Sequence, residues 1–139
     1  MIDVRRITEH EELDDILHLI RRLHEMYDIQ VPFSAFIGYI ATQLKNPFQA
    51  IWVGYEEGKP IGYAIATIEM SYYEFQCVLI DAYMDKVDES ASTHVWDLIT
   101  LWAKEAGCKR IVTHTYRDAK AVYTKYGFKP ITTYMVKDL

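Results

Sequence analysis

The sequence predicts an α+β domain in which one mixed sheet is covered by helices on both faces. Apolar residues recur at helical spacing early in the chain, change to strand-like runs from Ala50 to Tyr83, and return to helical spacing from Val95. Beyond Gly107 the pattern reads strand, short helix, stop, strand. With 139 residues, half of them apolar, the chain is most simply one domain over residues 1–139 with a single buried core.

Taken in order, Ile2, Val4 and Ile7 alternate imperfectly with Asp3, Arg5 and Arg6 as a short first strand. Thr8 and Glu11 have the spacing of a capping box, and Leu13, Ile16, Leu17, Ile20, Leu23 and Tyr27 mark one face of a long helix. His18, Arg21, Arg22 and Glu25 fall mostly on the other face. Pro32 disfavours helix at Val31. A second helix is expected from Ser34 to Lys45 on the stripe Phe36, Ile37, Ile40 and Leu44, and Asn46-Pro47 closes it.

Ile51 to Val53 and Ile61 to Ile68 read as an antiparallel hairpin around a turn at Glu56 to Pro60. Gly62 marks a bulge or a close backbone approach. A further strand, Phe75 to Tyr83, is followed by the polar and acidic segment Met84 to Ser92 and a helix carrying Val95, Leu98, Ile99, Trp102 and Ala106. Gly107 ends it. Ile111 to Thr115 is the next strand; Ala119, Val122, Tyr123 and Tyr126 then fall at helical spacing, Gly127 sits where a C-cap needs positive φ, and Pro130 bars continuation. That helix spans only about two turns and needs a sheet to hold it.

The net charge of −5 gives no overall footprint for nucleic acid or an anionic membrane. Basic residues nevertheless gather in the last third, including Lys104, Lys109, Arg110, Arg117 and Lys120. The two cysteines, Cys77 and Cys108, lie in apolar segments without a second ligand at metal spacing and read as free thiols in a reducing compartment. Met1 to Thr8 contains no apolar run long enough for a signal peptide or membrane span, so a cytoplasmic location is the default expectation.

In element order the chain resembles the GCN5-related N-acetyltransferase superfamily from end to end. The most specific part is Ala119-x-x-x-Tyr123-x-x-x-Gly127-Phe128, which is similar to the family's signature near its C-terminus. Gly58-Lys59-Pro60-Ile61-Gly62-Tyr63-Ala64 resembles its central hairpin, and Ala103-Lys104-Glu105-Ala106-Gly107-Cys108 the end of its third helix. The resemblance implies a central, mainly antiparallel sheet whose strand Phe75 to Tyr83 splays from Lys109 to Thr115. Acetyl-coenzyme A would enter that gap as cosubstrate, with its thioester near Leu79, Ile80 and Asp81. The family's acid maps onto Tyr123, whose bland alternative is a core aromatic.

Each role has a physical reason. Attack of an amine on a thioester builds negative charge on the carbonyl oxygen, which a backbone amide can receive. A phenol is a weaker acid than a thiol, so Tyr123 would stabilise the leaving thiolate as a donor. The amine must arrive neutral, and Glu74 or Asp81 could take its proton, directly or through water. His24, His94 and His114 read as helix-surface or satisfied core histidines.

Two departures stand out. The family places a basic residue and small glycines before the third helix, so that bare amides wrap a pyrophosphate. Here the corresponding residues are Val87-Asp88-Glu89-Ser90-Ala91-Ser92. Asp88 and Glu89 suit a helix N-terminus but oppose phosphate; at ~6 Å and an effective dielectric of ~20, one such contact costs on the order of 2–3 kcal/mol before screening. Tyr116 stands where the family often carries Asn, and with Ala119 it would lie beside the cofactor arm.

The resemblance therefore implies an N-acetyltransferase acting on a primary amine of a small molecule or peptide, with Val87, Ser90, Ala91 and Ser92 at the phosphates. The alternative is a family member that keeps the scaffold without ordinary acetyl-coenzyme A binding, using Tyr72-Tyr73-Glu74-Phe75 and Tyr83-Met84 as partner surface. Neither nucleic acid nor membrane is an expected partner. A homodimer is compatible with the family.

Overall fold

A computed structural model describes residues 1–27, 29–71, 74–86, 88–113, 127–128 and 137–138. In chain order the elements are β1 (Ile2–Ile7), α1 (His10–Met26), α2 (Phe33–Thr42), β2 (Gln49–Glu56), β3 (Lys59–Ser71), β4 (Glu74–Met84), α3 (Glu89–Glu105) and β5 (Ile111–Thr113). The expected short helix and the strand after it lie outside the described residues. The glycines expected at helix ends, Gly107 and Gly127, both have positive φ, 85° and 74°.

The strands lie in chain order, with β1 to β4 antiparallel and β5 joined to β4 in parallel. Period-two alternation sends successive side chains to opposite faces. Ile51, Val53, Tyr55, Tyr63 and Ile65 meet Ile16, Leu19 and Ile20 of α1 and Ile40 of α2. Ala50, Trp52, Ala64, Ala66 and Cys77 meet Ile99 and Ala103 of α3. The alanines leave room on that side for two indoles, Trp52 and Trp102, which pack edge-to-face at 5.5 Å. Both faces are buried, which is why β2 and β3 read as nearly continuous apolar runs.

Several local expectations shift. The hairpin turn is only Glu57-Gly58, both with positive φ (52° and 78°), as a tight turn matched to strand twist requires. The first helix is capped one residue later than Thr8 and Glu11: Glu12 accepts from the amides of Thr8 and Glu9, at 3.2 and 3.1 Å. Ile7 remains paired with Ile51, so strand pairing extends up to Thr8 and holds it out of the cap position. Leu19 is buried where Leu17 is only partly so. The second helix runs from Phe33 to Thr42, not from Ser34 to Lys45, and Leu44 is buried in the turn that follows.

Gly62 meets both expectations. The β2–β3 register shifts beside it, Gly54 facing Gly62 while Tyr55 faces Pro60. A Cβ on Gly62 would stand 2.9 Å from the Tyr83 carbonyl oxygen.

Candidate active site

The β4–β5 seam is closed at one end and, among the described residues, is paired as far as Leu79. Lys109 N–H donates to the Phe75 carbonyl (3.4 Å) and Cys77 N–H to that of Arg110 (3.1 Å). Pairing then runs through Cys77↔Ile111 and Val78↔Val112 to Leu79↔Thr113. Among the described residues, no strand pairs with this edge of β4 beyond Leu79.

There β4 also changes register against β3: Ala66 faces Leu79 and Ile65 faces Asp81, so Ile80 is an extra residue. The bulge inverts the alternation. Leu79 packs towards α3, whereas Ile80 and Asp81 turn towards α1. Without it, Asp81 would share the face of Cys77 and Leu79.

A cavity of about 240 Å³ lies along this part of β4 and reaches both faces of the sheet. On the α1 side Leu23, Tyr27, Tyr63, Asp81 and Tyr83 line it; on the other, Ser92, Val95 and Trp96 of α3 do. Leu79 and Ile80 lie between. Phe128, from the glycine–phenylalanine pair of the sequence signature, packs edge-to-face on Trp96 with ring centres 5.4 Å apart.

Asp81 is the buried acid of this cavity. Its Oδ2 accepts from the Tyr63 hydroxyl at 3.0 Å and lies 3.4 Å from Nε2 of His24, with the His24 and Asp81 side chains only 9% and 10% exposed. Burial pushes its carboxyl above the ordinary carboxylate range, and the Tyr63 and His24 contacts pull part of the way back. The Tyr63 phenol is driven far above its usual value by burial and by Asp81. Nearby, Tyr83 donates to Asp85 at 2.9 Å, and Asp85 is paired with Arg22.

Glu74 stands at the other end of β4, outside the cavity lining, in an ion pair with Arg110 at 3.1 Å. The structure does not bring it together with Asp81. Val87, Tyr116, Ala119 and Tyr123 lie outside the described residues.

The segment before α3 is shorter than its sequence suggests, because the helix begins at Glu89 and takes in Ser90, Ala91 and Ser92. Asp88 is its N-cap: the carboxylate accepts from Ala91 N–H at 2.9 Å and the carbonyl from Ser92 N–H at 3.0 Å. Two of the amides that a pyrophosphate would seek are thus taken by Asp88. Ser90 is exposed, Ala91 is buried and Ser92 lines the cavity.

His24 reads in the sequence as a helix-surface or satisfied core histidine. It is neither a surface histidine nor a satisfied one, since its buried Nδ1 has no hydrogen-bond partner. A usable signal existed: His24 lies four residues after Ile20, on the buried side of the helix. Tyr63 was legible only as part of the hairpin motif. Among the described residues, no cluster of three or more His, Cys, Asp or Glu could hold a metal, and no helix is long and apolar enough to cross a membrane.

Comparison with known proteins agrees with this architecture. Aminoglycoside N-acetyltransferase AAC(6′)-Iy in complex with CoA superposes with a TM-score of 0.82 at 16% identity, over 100% of this chain and 95% of that one. A Clostridium acetobutylicum protein described as a predicted acetyltransferase, with acetyl-CoA, gives 0.79 at 17% identity, over 99% and 96% of the two chains. Glucosamine-6-phosphate N-acetyltransferase from Arabidopsis thaliana gives 0.74 at 17%, over 99% and 98%. Identities this low speak for the fold alone. No protein in a search of curated sequences matches this one. The model of the acetyltransferase (GNAT) family matches residues 13–128, most of the chain, and the protein belongs to that family.

Proposed function

We propose that the protein transfers an acetyl group from acetyl-CoA to a primary amine, with Asp81 as the base that receives the amine's proton. The observation carrying this reading is a buried carboxylate beside a cavity that follows β4 where, among the described residues, nothing pairs with its edge. That edge and the apolar walls fit the thioester arm, and structural relatives holding CoA or acetyl-CoA share the fold. The bound cosubstrate would supply an activated acyl group.

The chain's own residues supply the rest. Ile80, Asp81 and Ala82 line the cavity, and one of their backbone amides would stabilise negative charge on a carbonyl oxygen. Asp81 accepts a proton from the acceptor's ammonium: an N–H bond breaks, an O–H bond forms on the carboxylate, and the amine becomes nucleophilic. A base raised above the ordinary carboxylate range suits that task near neutral pH. Tyr123 fills the donor role towards the leaving thiolate. Between the two acids considered, Asp81 is preferred to Glu74 because Glu74 lies outside the cavity and is paired with Arg110.

At the phosphate end the fit is poorer, since Asp88 occupies the Ala91 amide. This favours a second reading, a scaffold that no longer binds acetyl-CoA in the ordinary way. Turnover across a panel of primary amines, followed as free thiol, separates the two. Under the first reading some amine is acetylated, and Asp81→Asn lowers kcat about 10²–10⁴-fold while acetyl-CoA affinity holds. Equal turnover by Asp81→Asn would remove Asp81 from the chemistry.

A further inference from the structure

We infer that His24 is the positioning residue for Asp81, holding one carboxylate oxygen from α1 so that the rest of the carboxylate is presented to the cavity. This rests on the reading of Asp81 as base and adds a residue acting through it. The bulge at Ile80 turns Asp81 to the α1 face, and His24 meets it there with Nε2 3.4 Å from Oδ2. Tyr63 donates to the same oxygen from β3. A carboxylate has about four lone-pair directions, and Tyr63 and His24 both meet Oδ2, which leaves directions on Oδ1 for an ammonium.

The surroundings of His24 fix how it can act. Its ring lies 4.7 Å from that of Phe36 and edge-on to Phe33 at 6.1 Å. Nδ1 is buried there with no partner. A contact to a carboxylate needs the proton on Nε2, which leaves Nδ1 bare in a singly protonated ring. His24 thus acts on Asp81 through Nε2 alone.

The charged and titratable groups around it are otherwise engaged. Arg21, on the same helix, stacks over Phe33 at 4.0 Å, and Arg22 pairs with Asp85. From β3 comes Tyr63, bonded to Asp81; from β4 come Asp81 itself and Tyr83, bonded to Asp85. Tyr27 follows on α1 and lines the cavity, and the two α2 groups against the ring, Phe33 and Phe36, carry no charge. Among the described residues, Asp81 is the acid that His24 meets.

The test reads Asp81 directly and needs no acceptor. In the full chain labelled with ¹³C-aspartate, the Asp81 carboxyl is titrated by NMR in the wild type, His24→Leu and His24→Gln. Leu keeps the packing and removes the donor, and Gln restores a donor without a titrating ring. The His24 contacts favour the ionised carboxyl, so removing them raises its midpoint: His24→Leu should shift it upward by about one pH unit, tenfold in proton affinity. His24→Gln should bring it most of the way back. An unchanged midpoint in His24→Leu overturns the inference, as does a Gln variant identical to Leu.

If the Leu variant does not fold, ¹⁵N spectra of the wild-type imidazole decide. A proton on Nε2 supports the assignment, and an Nε2 without one overturns it. Loss of the base reading looks different: Asp81→Asn would turn over normally, while the carboxyl titration would still report the hold of His24.

Discussion

Leu79 and Asp81 are separated by one residue on β4 yet project to opposite faces of the sheet. The extra residue between them, Ile80, breaks the alternation just past the last described pair with β5, Leu79 and Thr113. That irregularity delivers a carboxylate to the side lined by Tyr27, Tyr63 and Tyr83.

That arrangement depends on β3 lying close to the end of β4. In Gly62→Ala the new Cβ would stand 2.9 Å from the Tyr83 carbonyl and 3.3 Å from Met84 Cα, both backbone atoms that cannot turn aside. A loss of about 1–3 kcal/mol is expected in urea unfolding. An unchanged midpoint would show that the strands part freely.

Stability should depend on pH through Asp81. Its folded carboxyl binds a proton more readily than the unfolded one, because burial disfavours the charge. The folded state then holds more protons than the unfolded state above about pH 4, and stability falls as pH rises from there through the folded value. Asp81→Asn removes this term, so unfolding curves of the variant should gain on the wild type across that window. Parallel curves would contradict the burial of the charge.

Charge at the start of α3 should weaken phosphate binding. Asp88→Asn keeps a good N-cap while removing the negative charge, so the helix should lose little stability. CoA affinity, measured by calorimetry, is expected to rise several-fold, more at low salt. Unchanged affinity would place the phosphates away from Asp88.

Cys77 is fully buried, and burial pushes its thiol up to about 12. The thiolate is the reactive form, so alkylation of Cys77 should proceed only at the rate of unfolding. Rapid labelling in the native protein at pH 8 would show that the core beneath α3 opens locally.

The layers of the fold were legible from the apolar pattern: the helical stripe from Leu13 to Leu23, the continuous run Ile51 to Val53, and Gly107 after the third helix. Asp81 was legible too, as a lone carboxylate in the apolar run Val78 to Tyr83. Its orientation was not. Ile80 is a bulge without glycine, and an apolar run on a strand buried on both faces carries no alternation to betray a slipped register. His24 needed that orientation before its role could be seen. The capping box slipped by one residue because Thr8-x-x-Glu11 and Glu9-x-x-Glu12 are both present, and only the pairing of Ile7 with Ile51 chooses between them.

The central claim is that the cavity beside Ile80 and Asp81 admits acetyl-CoA despite the acidic start of α3. Thermal unfolding with and without the cosubstrate tests it most directly. At about a hundred times its dissociation constant, acetyl-CoA should add ~2.7 kcal/mol of stability and raise the melting temperature. A melting temperature that does not move, at any concentration up to the solubility limit, would contradict it.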